Sequence, residues 1–329
     1  VPFLTANSYF GLAPESTYGT AASIATFTPV TSPKVANDVT WLDDSAFRGS
    51  PVDHYDQVPG VIKAAYDGKT YIFSDVFPHL VRAALGSTDS VGASVTVVNS
   101  AGASVTAYPH TIGLQNQANT GSQAPSYTII NDSVDNSYQL TGARLSDLAI
   151  AVSVDAAIDA TFSFMGNAAS VVASVSPNES TQHLVPAWST SASISGASVA
   201  VIESLEINIK RNATSIHTLG QQGPYNNFQS PISVEGKFLF VVEANETFYA
   251  NALQRAQLPV RLQFTDPATG YNVVVQMSAV QLEAPVIDQS KSYVTLQANF
   301  VAVANTTDAV AGGYSPIKFI ITNGQSTQY

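Results

Sequence analysis

The chain has 329 residues, of which 45% are hydrophobic and only 11% charged, with a formal net charge of −11 and no cysteine. That balance is too apolar and too weakly charged for a disordered chain, and the missing cysteines exclude disulfides, thiolate metal sites and cysteine nucleophiles together. The acidic excess, 14 acidic against 6 basic residues up to Val175 and 10 against 7 from Ser176 onward, opposes nucleic-acid binding.

In chain order, residues 1–37 are rich in Gly, Pro, Ser, Thr and Ala without clear periodicity and predict an extended N-terminal arm. Phe3, Leu4, Tyr9 and Phe10 make it too apolar to float free, so it is expected to order against a neighbour. A first β domain is expected over 38–175, a second over 176–312 and a C-terminal strand or tail over 313–329. Within them, apolar residues recur with the period of two that marks half-buried strands. Examples are Ile150, Val152 and Val154; Ile158, Phe162 and Phe164; Leu205, Ile207 and Ile209; Val273, Val275 and Met277; and Val294, Leu296, Ala298 and Phe300.

Two segments carry helical stripes. Ser74–Leu85 places Val76, Phe77, Leu80, Val81, Ala84 and Leu85 on one face, with Ser74 or Asp75 as cap, Pro78 in the first turn and Gly86 as the stop. Asn245–Ala256 repeats the pattern with Phe248, Tyr249, Ala252 and Leu253, and Pro259 follows it. Gly68-Lys69-Thr70-Tyr71-Ile72-Phe73 precedes the first stripe and Gly236-Lys237-Phe238-Leu239-Phe240-Val241 the second. Each is later followed by a long hydrophobic hairpin, so a tandem repeat of one β-rich unit is expected. The Ser/Thr/Ala-rich stretches 87–107 and 167–198 read as connectors.

Chemistry-bearing patterns are missing from the sequence. The five histidines have no metal-ligand spacing, and Asp43-Asp44, Asp53 with Asp56, and Asp155 with Asp159 read as solvated turns. No nucleophile elbow, zinc-protease motif or phosphate loop occurs, so no catalytic residue, cofactor or metal is expected. No apolar run approaches the roughly 18 residues of a spanning helix, and Val1–Asn7 lacks the basic flank and apolar stretch of a signal peptide. A protein that stays inside the cell and has no membrane partner is the expectation.

Several segments together resemble the major tail tube proteins of long-tailed (siphovirus-type) bacteriophages, especially those of actinobacterial hosts. They are Gly11-Leu12-Ala13-Pro14-Glu15-Ser16-Thr17-Tyr18-Gly19-Thr20, Pro125–Ile130 with Tyr138–Asp147, Val201–Arg211 with Ile216–Gln222, and Ser233–Gly236. The resemblance implies an all-β fold with two short helices, in which tandem tail-tube-type β-sandwich domains contribute strands to an intersubunit β-barrel. It implies a structural virion protein whose partner is itself, in trimeric pseudo-hexameric rings or alternatively homohexameric ones, stacked into a tube. Tape measure protein and tail terminator or tip proteins are the further partners it implies. Assembly would take place in the host cytoplasm, and DNA would pass through without specific binding. The candidate lumen-facing residues are then Asp147, Asp155, Glu206, Gln276, Gln281 and Gln297. The arm residues Phe3, Leu4, Tyr9 and Phe10 become candidate inter-ring contacts. Competing readings are a capsid-decorating or tail-tip β module and a carbohydrate-binding β protein. The last would need clustered aromatics, whereas Trp41 and Trp188 stand in different halves.

Overall fold

The computed structural model describes residues 4–87, 89–116, 121–133, 136–243, 248–254, 256–310 and 312–329. The elements of the first half are β1 (Tyr9–Pro14), β2 (Thr26–Thr28), β3 (Lys34–Asp44), β4 (Asp56–Tyr71), α1 (Phe77–Leu85), β5 (Ser90–Val91), β6 (Val95–Val98), β7 (Ser104–Ile112), β8 (Tyr127–Asp132), β9 (Ser137–Ser153), β10 (Asp159–Gly166) and β11 (Ser170–Val172). The second half adds β12 (Thr190–Ile194), β13 (Ala197–Ser198), β14 (Ile202–Lys210), β15 (Thr214–Ile216), β16 (Asn226–Phe228), β17 (Ser233–Val241), α2 (Phe248–Leu253), β18 (Gln257–Thr265), β19 (Asn272–Asp288), β20 (Thr295–Ala302) and β21 (Lys318–Asn323). The all-β expectation holds.

Two long strands organise the rest. β9 and β19 each have 17 residues and run through both layers of the sandwich. The first part of β9 pairs with β8 and β11, and its second part with β10 and β14. The first part of β19 pairs with β18 and β21, and its second part with β20. One layer is therefore a continuous eight-stranded sheet in the order β3–β4–β10–β9–β14–β17–β20–β19. The other layer holds β2–β1–β8–β9–β11 and β13–β12–β18–β19–β21–β7.

The order β3–β4–β10–β9 recurs as β14–β17–β20–β19, and β2–β1–β8–β9 recurs as β13–β12–β18–β19. Matching residues fix the correspondence. Gly68 lies opposite Phe162, which lies opposite Leu148; Gly236 lies opposite Phe300, which lies opposite Leu282. In both places the phenyl ring covers the glycine so closely that a Cβ would come within 2.7 Å of Phe162 or 2.5 Å of Phe300.

The period of two in the sequence becomes the two faces of the sheet. On β14, Leu205, Ile207 and Ile209 are buried while Glu206, Asn208 and Lys210 face outward. The inward side chains meet the other layer. Phe10 of β1 stacks on Tyr66 of β4 at 4.6 Å between ring centres and lies 5.3 Å from Phe162 of β10. Helix α1 closes the first half with Phe77, Leu80, Val81, Ala84 and Leu85 buried, and Gly86, at φ 87°, ends it. It starts at Phe77 rather than Ser74, with Val76 at the cap position and no side-chain cap. Ser180 donates to the Asp75 carboxylate at 2.8 Å, and the Asn323 amide donates to the Ser74 carbonyl at 2.5 Å.

Other expectations are corrected. From Tyr9 onward the segment 1–37, expected to order against a neighbour, orders within its own chain: β1 pairs with β2 and β8, and Phe10 is fully buried. Its periodicity was invisible because β1 is covered on both faces, with Ile24 and Phe27 packed over Gly11. The stretches 87–107 and 167–198 contain strands β5, β6, part of β7, and β11 to β13. Apart from β7 these strands have only two to five residues and are largely exposed, so no alternation toward a core marks them. Within 313–329, given as a strand or tail, β21 is a strand whose Phe319 and Ile321 are fully buried between β19 and β7. Among the described residues α2 ends at Leu253 rather than Ala256, and Leu253 is 65% exposed rather than packed on a sheet. Asn245 and Glu246, its expected start, lie outside the described residues.

Three of the sequence segments that carry the resemblance lock together. The nearly buried Glu15 carboxylate accepts hydrogen bonds from the Gly19 and Gly142 amides and from the Ser126 and Thr128 hydroxyls, at 2.7–2.9 Å. Gly142, at φ 60°, leaves room for the Tyr18 ring, which a Cβ would meet at 2.8 Å. Asn227 donates to the Tyr18 hydroxyl at 3.1 Å and to the Gly142 carbonyl at 3.0 Å. The loop after β1 is thus pinned to the start of β8 and to the Gly142 position within β9.

Two measurements check this packing. Leu80→Ala should lower stability by about 2–5 kcal/mol in chemical denaturation, whereas Leu253→Ala should change it by less than about 0.5 kcal/mol. Glu15→Ala, which leaves several buried donors unpartnered, should cost about 2–4 kcal/mol, while Glu15→Gln retains part of the network and costs less.

Candidate assembly surfaces

The eight-stranded sheet has one face on the core and one face bare. Cross-strand pairing sets the bare side chains in rows. One row runs Tyr71, Asp159, Ala151, Glu206, Lys237, Asn299, Glu283. The next runs Lys69, Thr161, Ala149, Asn208, Glu235, Val301, Gln281. A third runs Lys34, Asp67, Ser163, Asp147, Lys210, Ser233.

Charges on this face alternate and neutralise one another locally. Lys69 reaches Asp159 at 2.9 Å, Lys210 reaches Glu235 at 2.9 Å and Lys237 reaches Glu206 at 2.8 Å. Lys237 and then Asn208 hold the Glu206 carboxyl below the usual carboxylate range, and Lys210 and then Ser233 do the same for Glu235. These carboxylates therefore stay ionised at any pH near neutrality. Exposed pairs of this kind contribute little to stability. Their effect here is to leave no cluster of free cations on the sheet.

The sequence-derived candidates fall in different places. Asp147, Glu206, Gln281 and Gln297 all stand on the polar face. Asp155 is exposed in the turn between β9 and β10, at the rim of the sheet. Gln276 lies on the part of β19 that pairs with β18 and β21, in the other layer, with its amide 3.1 Å from the Ser278 hydroxyl. Of the arm residues, Leu4 is 67% exposed, Tyr9 is half-buried and Phe10 belongs to the core. Phe3 lies outside the described residues.

Two surfaces escaped the sequence reading. The outer part of the β3–β4 hairpin holds Trp41, Leu42, Phe47 and Val58 exposed, and the β15–β16 hairpin holds Ile216, Leu219, Tyr225 and Phe228 exposed. Hairpin strands with apolar residues on both sides show no alternation toward a core, so the pattern gave no signal. Contiguous bare apolar patches mark contact surfaces. The sheet also ends in two open edges. Among the described residues no strand pairs with the outer edge of β3, and none with the outer edge of β19 beyond Gln281. Open edges invite further strands.

No three His, Asp or Glu side chains among the described residues are grouped to hold a metal ion, and no described helix is long and apolar enough to cross a membrane. An all-antiparallel sandwich with a polar sheet face, open edges and bare hairpins is built for self-association. A search of curated proteins found no match. The family model described as phage tail tube protein matches residues 5–327, so the chain belongs to that family. It is a structural protein of the virion tail that assembles with itself into a tube.

Proposed function

We propose that three copies close into a ring whose inner wall is formed by their eight-stranded sheets, polar faces inward, and that stacked rings conduct DNA. The observation that carries this is the repeated four-strand order: one chain supplies the wall twice, with β9 and β14 joining the two parts. Three copies give about 24 strands; at about 4.8 Å per strand and a tilt of about 40°, the barrel backbone would be roughly 40–50 Å across.

In this arrangement Asp147, Glu206, Gln281 and Gln297 face the lumen, Gln276 faces away from it and Asp155 sits at the ring's rim. DNA carries a dense line of negative charge and is held by free Lys and Arg. A wall whose lysines are already paired with carboxylates offers phosphate no purchase, so the duplex slides. The bare β3–β4 and β15–β16 hairpins meet the neighbouring ring, with Leu4 beside them. Before DNA passes, the same lumen holds a tape measure protein, and terminator and tip proteins cap the tube's ends. The role is structural rather than catalytic. Assembly takes place in the host cytoplasm, and the resemblance carried by the Gly11–Thr20 and Gly142-Ala143-Arg144 segments favours a siphovirus-type phage of an actinobacterial host.

Electron cryomicroscopy of the purified protein tests the arrangement. Tubes with three chains per ring and a barrel of about 24 strands are expected. Rings of six chains, or a wall made by the other layer, would contradict it.

A further inference from the structure

The junction inside the chain specifies the junction between chains. Aligning the two recurring units on Gly68/Phe162/Leu148 and Gly236/Phe300/Leu282 equates the second part of β9 with the second part of β19, and the end of β14 with the start of β3. Within the chain, Leu148 of β9 pairs with Ile209 of β14, which pairs with Val234 of β17. Val234 is two residues before Gly236, so its counterpart two residues before Gly68 is Tyr66, and Tyr66 pairs with Val35 of β3. The counterpart of the Leu148–Ile209 contact is therefore Leu282 against Val35.

We infer that the open edge of β19 pairs antiparallel with the open edge of β3 from a second copy of this chain, with Leu282 opposite Val35 and Glu283 opposite Lys34 of that copy. This rests on the tube reading above and adds its register. Three observations support it. Parity is right: Leu282 is buried and Val35 packs against the core, while Glu283 and Lys34 both stand exposed on the polar face. Charge is complementary and unspent. Of the seven lysines, the other six each form an ion pair, whereas among the described residues neither Lys34 nor Glu283 does. Beyond the ladder, Val286 and Ile287 are 56% and 51% exposed on the same strand and need cover. Pro33 and Pro285 flank the paired residues and lack amide donors, which blunts both edges against a longer or slipped ladder.

Zero-length carbodiimide coupling of wild-type protein, read by peptide mass spectrometry, tests the register. Lys34 and Glu283 stand at opposite edges of the sheet, roughly 30 Å apart within one chain, so an amide between them can only join two chains. The expected result is a Lys34–Glu283 cross-link in assembled tubes and none in monomers. Tubes in which Lys34 couples elsewhere, or not at all, overturn this register while leaving the tube reading intact. A protein that forms no tubes overturns that reading and the register with it. Charge reversal gives a second readout: Lys34→Glu and Glu283→Lys should each cut tube yield about tenfold or more, and the double reversal should restore it. Single reversals without effect, or no rescue by the double variant, contradict the pairing.

Discussion

The seven residue pairs between β9 and β14, from Asp147–Lys210 to Ser153–Ser204, are the contact on which the rest of the molecule depends. A strand edge left open in water is a template for uncontrolled pairing, and a sheet must either close, be covered or meet a chosen partner. By pairing β9 with β14 the chain closes one such edge within itself and fuses two four-stranded units into one sheet. In the other layer β21 of the second unit pairs with β7 of the first, so the units are tied through both layers. In the eight-stranded sheet what remains open, among the described residues, is one edge at each end, β3 and the second part of β19, and these are the positions that β14 and β9 fill inside the chain.

The same ladder settles where polar groups can go. Because side chains alternate along a strand, continuity of register across eight strands commits Leu148, Ile209, Val234 and Phe300 to the core and their neighbours to a single polar face. Lysine and carboxylate then alternate across that face, which gives a wall that is hydrated and nearly neutral over short distances. Burial supplies most of the stability. In the proposed tube, the ion pairs of this face bear on a passing polyanion more than on how firmly the chain folds.

Much of the sheet was legible in the sequence wherever one face of a strand is buried and the other wet, as in Leu205–Lys210 and Leu296–Phe300. Legibility failed where that contrast vanishes. β1 is covered on both sides by β8 and by Ile24 and Phe27, so Tyr9–Pro14 read as an arm. The hairpins with Trp41, Phe47 and Leu219 are bare on both sides, so no contrast between a buried and a wet face singled them out. Leu253, in the last turn of α2, stands in solvent although the helical stripe placed it on the core side. Of the candidate wall residues, Asp147, Glu206, Gln281 and Gln297 followed from polar positions on long hairpins. Gln276 did not separate from them because β19 changes layers along its length, and a period of two is the same in either layer.

Amide hydrogen exchange on monomer and tube tests the central claim, that an internal strand junction is the pattern for the external one. The account predicts that β9 and β14 between Asp147 and Ser153 and between Ser204 and Lys210 are protected in both states. Around Lys34–Ala36 and Leu282–Asp288, protection should appear only on assembly. Edges that still exchange freely in assembled tubes, or a β9–β14 ladder that exchanges freely in the monomer, would contradict it.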